Sequence, residues 1–71
     1  MELKLTEVAE RIRTLREIMG FTTQEMAETI GCTEAEYEAA ENGETDFSFT
    51  FLFKCADRFG VDMIEILTGE N

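Results

Sequence analysis

The sequence predicts an all-α chain of five short helices, and three observations carry that prediction. Thr22 with Glu25 and Thr33 with Glu36 are two capping boxes, in which a threonine hydroxyl and a glutamate carboxylate satisfy backbone N–H groups at a helix start. Gly20, Gly31 and Gly60 each stand just past an apolar stretch, where a left-handed residue ends a helix. Between these signals the apolar residues recur at i, i+3 and i+4, so each segment has one stripe to bury.

In chain order, Met1 to Leu5 reads as a lead-in, and Thr6 caps a helix over Glu7 to Met19 with Val8, Ile12, Leu15 and Met19 as its stripe. Arg11 and Arg13 lie off that stripe and read as solvated charges that offset neighbouring acids. Phe21 leads into the central pair of helices over Thr22 to Gly43, which bury Met26, Ala27 and Ile30, then Tyr37 and Ala40. Helices this short are unstable alone in water and need the remaining chain as a base. Asn42-Gly43 is a turn signal, and Glu44-Thr45-Asp46 follows as an acidic loop.

Phe47, Phe49, Phe51 and Phe53 alternate as in a half-buried strand, while Phe49, Leu52, Phe53, Ala56 and Phe59 fit one face of a helix. Ser48 can cap the helix and Gly60 can close it, and a lone strand has no partner in a helical chain. A helix is therefore predicted, with Phe47 and Phe51 beside its main stripe. Two readings of that pair stay open: a wider core contact, or the centre of a dimer surface on the last two helices. In the final helix Asp62 caps, Met63, Ile66 and Leu67 face inward, and Thr68 to Asn71 fray.

At 71 residues one domain over 1–71 is expected, with its central motif at 22–43. A chain of this size buries only about 60% of its unfolded surface, so the core is small. The apolar runs are too short and too interrupted by charge to span a bilayer, and Met1 to Gly20 has no continuous apolar segment of the secretory kind. A cytoplasmic location follows. Cys32 and Cys55 form no CxxC pair, and the chain has no histidine, so two reduced thiols are expected and no zinc site. The chain also lacks a glycine-rich phosphate loop and a nucleophile with a partner base. Neither a cofactor nor an enzymatic activity is expected.

Charge is the unusual feature, at −10 overall. Between Arg16 and Lys54 there is no base, while Glu17, Glu25, Glu28, Glu34, Glu36, Glu38, Glu41, Glu44 and Asp46 are all acidic.

Taken together, LREIMGFTTQEMA with Arg16, Gly20 and Ala27, the turn IGCT, ENG at 41–43 and LFKCADRFGVDMIEIL resemble the helix-turn-helix domain of the Cro and phage-repressor (XRE) family over about Val8 to Leu67. That resemblance implies a lambda-repressor-like DNA-binding fold, whose second central helix, about Glu34 to Asn42, lies in the major groove. By position Thr22, Thr23, Asn42 and Glu44 correspond to phosphate-contacting sites, Glu34, Ala35, Glu38 and Ala39 to base-reading sites, and Thr33 joins them on the DNA-facing side. Arg16 and Glu41 correspond to a pair that forms a salt bridge inside family members.

The departures point the other way. Arginine, lysine, asparagine and glutamine normally meet bases and phosphates, whereas this helix reads TEAEYEAAENGETD. A carboxylate about 4 Å from a phosphate costs roughly 1 kcal/mol even in bulk water. First-turn placement of Glu34 and Glu36 favours the helix dipole, but Glu34 and Glu38 repel each other at i, i+4. DNA is therefore a partner disfavoured by charge. A protein partner or a homodimer is the alternative, as is a place at the N-terminus of a larger sensor regulator, for example one with a cupin domain.

Overall fold

The computed structural model describes residues 4–69, so residues 1–3 of the lead-in and residues 70–71 of the frayed end lie outside the described residues. Five helices run in the order α1 (Leu5–Met19), α2 (Thr23–Ile30), α3 (Glu34–Glu41), α4 (Phe49–Phe59) and α5 (Met63–Thr68), with no strand among the described residues. α1 packs against α3, α4 and α5, and α2 lies between α3 and α4. Ile12, Met26, Tyr37, Cys55 and Ile66, drawn from all five helices, are fully enclosed at the centre.

Local signals set most helix ends. Both capping boxes form: Thr22 Oγ1 accepts from Glu25 N at 3.0 Å, and Thr33 Oγ1 accepts from Glu36 N at 3.1 Å. Ser48 Oγ accepts from Phe51 N at 3.0 Å to open α4. α1 departs from the expectation, because it starts at Leu5 with Lys4 as its cap, and Thr6 lies inside the first turn. Asp62 occupies the cap of α5 but makes no side-chain cap hydrogen bond, and Thr68 is helical rather than frayed. Met19, expected in the stripe of α1, is exposed.

The principal correction concerns α4. Phe49 is 73% exposed and Phe53 55% exposed, while Phe51 is buried and Phe47 packs against the core. The assignment of Phe49 and Phe53 to the core stripe is thus reversed, while Phe51 is buried and Phe47 half-buried against the core. The physical reason is a long-range aromatic stack. Phe51 lies against Tyr37 of α3 at 5.8 Å between ring centroids, and Phe47 lies against Phe51 at 5.3 Å. These contacts roll the helix so that Phe51, Cys55, Ala56 and Phe59 face inward.

Arg11 is not a solvated charge. Its Nη1 donates to the carbonyls of Ile66 at 3.1 Å and Leu67 at 2.9 Å, which satisfies acceptors left open at the end of α5. Gly69 closes that helix with φ 77°, and a Cβ there would come within 2.8 Å of Arg11 Nε. Its φ favours glycine at that position, and a larger residue would also have to displace the Arg11 side chain.

Candidate functional site

The site expected from sequence is the outer side of the α2–α3 pair. Gly31, at φ 92°, ends α2, and its N–H and that of Cys32 both donate to Ala27 O, at 2.8 and 3.0 Å. This compact turn aims α3 away from α2 and puts Glu34, Ala35 and Glu38 in solvent with Ala39 half-buried beside them. Thr22, Thr33, Asn42 and Glu44 are exposed on the same segment, and Thr23 is half-buried.

Several of these groups already have partners. The Thr22 and Thr33 hydroxyls accept backbone N–H groups as caps. Thr23 Oγ1 donates to Glu34 Oε2 at 2.7 Å, so a residue expected at a phosphate and one expected at a base hold each other. Asn42 Oδ1 accepts from Arg13 Nη2. Neither link shows a sequence signal, because both join residues on different helices or turns.

Beneath the surface lies a charged clamp between α1 and α3. Glu41 is 5% exposed; its Oε2 accepts from Arg16 Nε at 2.8 Å and its Oε1 from Arg16 Nη2 at 3.0 Å. Arg13 Nε approaches Glu41 Oε1 at 3.4 Å, and Arg16 Nη1 donates to Phe21 O at 3.0 Å. Burial pushes the Glu41 carboxyl up, yet the hydrogen bonds of Arg16, the Tyr37 hydroxyl beside it, the Arg16 charge and Arg13 together outweigh it and hold its pKa below the usual carboxylate value. Arg16 is held above its ordinary value mainly by its hydrogen bond to Glu41.

Tyr37 lies next to this clamp. Burial, with Glu41 nearby, pushes the phenol far above its ordinary pKa. Its hydroxyl is buried and completes no hydrogen bond of normal geometry. An unsatisfied buried hydroxyl costs about 1–3 kcal/mol. Tyr37→Phe is therefore expected to leave the melting temperature unchanged or raise it by a few degrees. A clear fall in a thermal melt would show that the hydroxyl bonds to Glu41 after all.

The electrostatic balance of the site follows from where the bases are. Of six bases, five are engaged within the fold. Arg11 holds the end of α5, Arg13 and Arg16 hold Glu41 and Asn42, and Lys54 Nζ donates to Ile30 O at 2.9 Å. The Arg58 guanidinium sits 4.5 Å over the Phe21 ring, which itself stacks on Phe59. Lys4, exposed at the start of α1, makes no such side-chain contact among the described residues. The acids of α3 and the following loop thus face solvent without a basic neighbour, apart from the buried Glu41.

Self-repulsion among these acids should be relieved by salt, whose screening length falls from about 10 Å at 0.1 M to about 3 Å at 1 M. The enclosed Arg16–Glu41 pair is screened much less. We expect the melting temperature to rise with sodium chloride by about 4–8 °C, the shift that about 1 kcal/mol produces in a domain of this size. A flat or falling trend by circular dichroism would mean that the acids are locally compensated.

Among the described residues no group of histidine, cysteine, aspartate and glutamate is arranged to hold a metal ion. No described helix is long and apolar enough to cross a membrane.

Solved structures share this architecture. The restriction-modification controller protein C.AhdI from Aeromonas hydrophila matches with a TM-score of 0.80 at 22% identity, over 87% of this chain and 94% of its own. SinR, described as the master regulator for biofilm formation and solved in complex with DNA, matches with a TM-score of 0.73 at 28% identity, over 84% of this chain and 97% of its own. PlcR from Bacillus thuringiensis, solved with the peptide PapR7 and DNA, matches with a TM-score of 0.77 at 23% identity, over 86% of this chain but 21% of its own. No curated protein matches the sequence. Residues 9–71 match the family model described as a helix-turn-helix domain, and with the α2–α3 geometry above, the chain belongs to that family, whose solved neighbours are transcriptional regulators of the lambda-repressor type.

Proposed function

We propose that this chain is a regulatory helix-turn-helix module of the cytoplasm whose α3 face does not hold DNA unaided and acts through a partner. The observation that carries this reading is that five of the six bases are engaged in contacts within the chain, while Glu34, Glu38 and Glu44 stand in solvent where phosphates and base edges would lie. Non-specific DNA affinity arises from counterion release by lysine and arginine, with Kd of about 10⁻⁴ to 10⁻⁶ M at physiological salt. With Lys4 alone unengaged among the described residues and acids around the α3 face, that source is weak. The complex of SinR with DNA supports DNA as the eventual target of the assembly, and the small share of PlcR that is matched supports a module within a larger regulator.

The test is anisotropy of a labelled mixed-sequence duplex at about 50 mM and about 200 mM salt, the range in which phosphate contacts reveal themselves. No binding at either concentration is the expected result. Binding that weakens steeply with salt would overturn the reading and make the chain an unaided DNA binder.

A further inference from the structure

Between α3 and the start of α4 runs a groove of about 620 Å³, within the range of ordinary ligand sites. Cys32, Ala35 and Ala39 line it along one side of α3 and the turn before it, and buried Phe51 lies at its base. Alanine at two positions expected to read bases is what keeps the groove open. Glu36, whose Oε1 also accepts from Thr33 N, and Asp46 are its charged lining groups, and Lys54 is bonded to the carbonyl of Ile30, another lining residue. An apolar floor with an acidic rim is complementary to an amphipathic segment that is basic on one side and apolar on the other.

We propose that this groove docks a lysine- or arginine-rich amphipathic peptide segment of a partner protein, an inference that rests on the partner-dependent reading above. The charge of the chain argues against the other occupants. A second copy also carries −10, and among the described residues five of its six bases are engaged internally, so it would bring acid to an acidic rim. DNA and an anionic membrane surface meet the same repulsion. A cationic segment can instead bury one or two apolar side chains on Ala35, Ala39 and Phe51 while its bases meet Glu36 and Asp46.

The experiment titrates the 71-residue chain into a fluorescein-labelled, helix-patterned Lys/Leu peptide about four turns long. A Lys/Ser peptide of equal charge and a Glu/Leu peptide of equal apolarity serve as controls. Saturable binding of Lys/Leu is expected, with Lys/Ser weaker by about tenfold or more because it lacks the apolar anchor. Ala39→Arg should abolish binding by filling the groove. Glu36→Gln with Asp46→Asn, which keeps the capping-box residue type, should weaken it about fivefold, as two screened surface pairs would. That second variant keeps the test decisive if Ala39→Arg fails to fold. Equal affinity for Lys/Ser, no binding of Lys/Leu, or binding unmoved by the rim variant would each overturn the proposal. The duplex titration separates the two readings, since absent peptide binding with absent DNA binding removes the groove assignment alone.

Discussion

Glu41→Ala is expected to cost about 3–5 kcal/mol of folding stability, the range for removing one partner of a buried ion pair. The carboxylate is 5% exposed and receives both Arg16 donors, at 2.8 and 3.0 Å. Its loss leaves the Arg16 guanidinium facing an uncharged, partly dry site, and it unties α3 from α1. A domain of this length has roughly 4–11 kcal/mol to lose in all. The melting temperature should therefore fall by about 12 °C or more, at about 4–8 °C per kcal/mol. Arg16→Met with Glu41→Leu should recover part of that loss, because an apolar pair of similar volume removes the stranded charge. Recovery will be incomplete, since Arg16 also donates to Phe21 O. A melt of Glu41→Ala within a few degrees of the parent would show that the clamp is a surface-grade pair.

The same clamp predicts an acid limb of stability. Glu41 has a lower pKa folded than unfolded, so the folded state favours its charged form. That contribution is complete above the ordinary carboxylate pKa of about 4.3 and disappears as pH falls through the lower folded value. Glu25 and Glu36 shift in the same direction, chiefly through the backbone N–H groups of Thr22 and Thr33. A pH series of chemical denaturation should thus fall below the ordinary carboxylate range, and Glu41→Gln should flatten but not erase the fall. An unchanged slope in Glu41→Gln would assign the acid limb to the capping boxes alone.

How far the fold was legible depends on the distance over which each signal acts. The capping boxes at Thr22–Glu25 and Thr33–Glu36 are three-residue devices, and the turn at Gly31 needs only one left-handed residue, so all were readable in order. The face of α4 was not. A run with phenylalanine at every second position offers two apolar arcs of nearly equal merit, and Tyr37, on another helix, decides between them. Arg11 was misread for the same reason, because its acceptors Ile66 O and Leu67 O are at the far end of the chain. The Arg16–Glu41 pair came from family resemblance, not from a local pattern. Thr23–Glu34 and Arg13–Asn42 carried no signal, and the groove was announced only by the small residues Cys32, Ala35 and Ala39 at helical spacing.

Glu38→Arg with Glu44→Lys is expected to raise the affinity of this chain for duplex DNA about a thousandfold. Both positions are exposed on the helix-turn-helix face and neither has an internal basic partner, so the substitutions change charge without removing a contact in the core. Reversing one charge about 4 Å from a phosphate changes the interaction by roughly 2 kcal/mol at the dielectric of water, twice the single-pair value. Two reversals give about 4 kcal/mol, close to a thousandfold in affinity. That is enough to bring binding into the ordinary non-specific range of about 10⁻⁴ to 10⁻⁶ M. The gain should carry its own signature, a logarithmic salt slope of about −0.9 for each phosphate neutralised. Glu28→Lys, exposed on α2, serves as a charge-matched control when paired with Glu17→Lys on α1. If that control gains as much affinity as the α3 variant, net charge rather than the shape of the helix-turn-helix face governs binding. If the Glu38→Arg, Glu44→Lys variant stays folded and gains no affinity, these acids do not govern DNA binding by this domain.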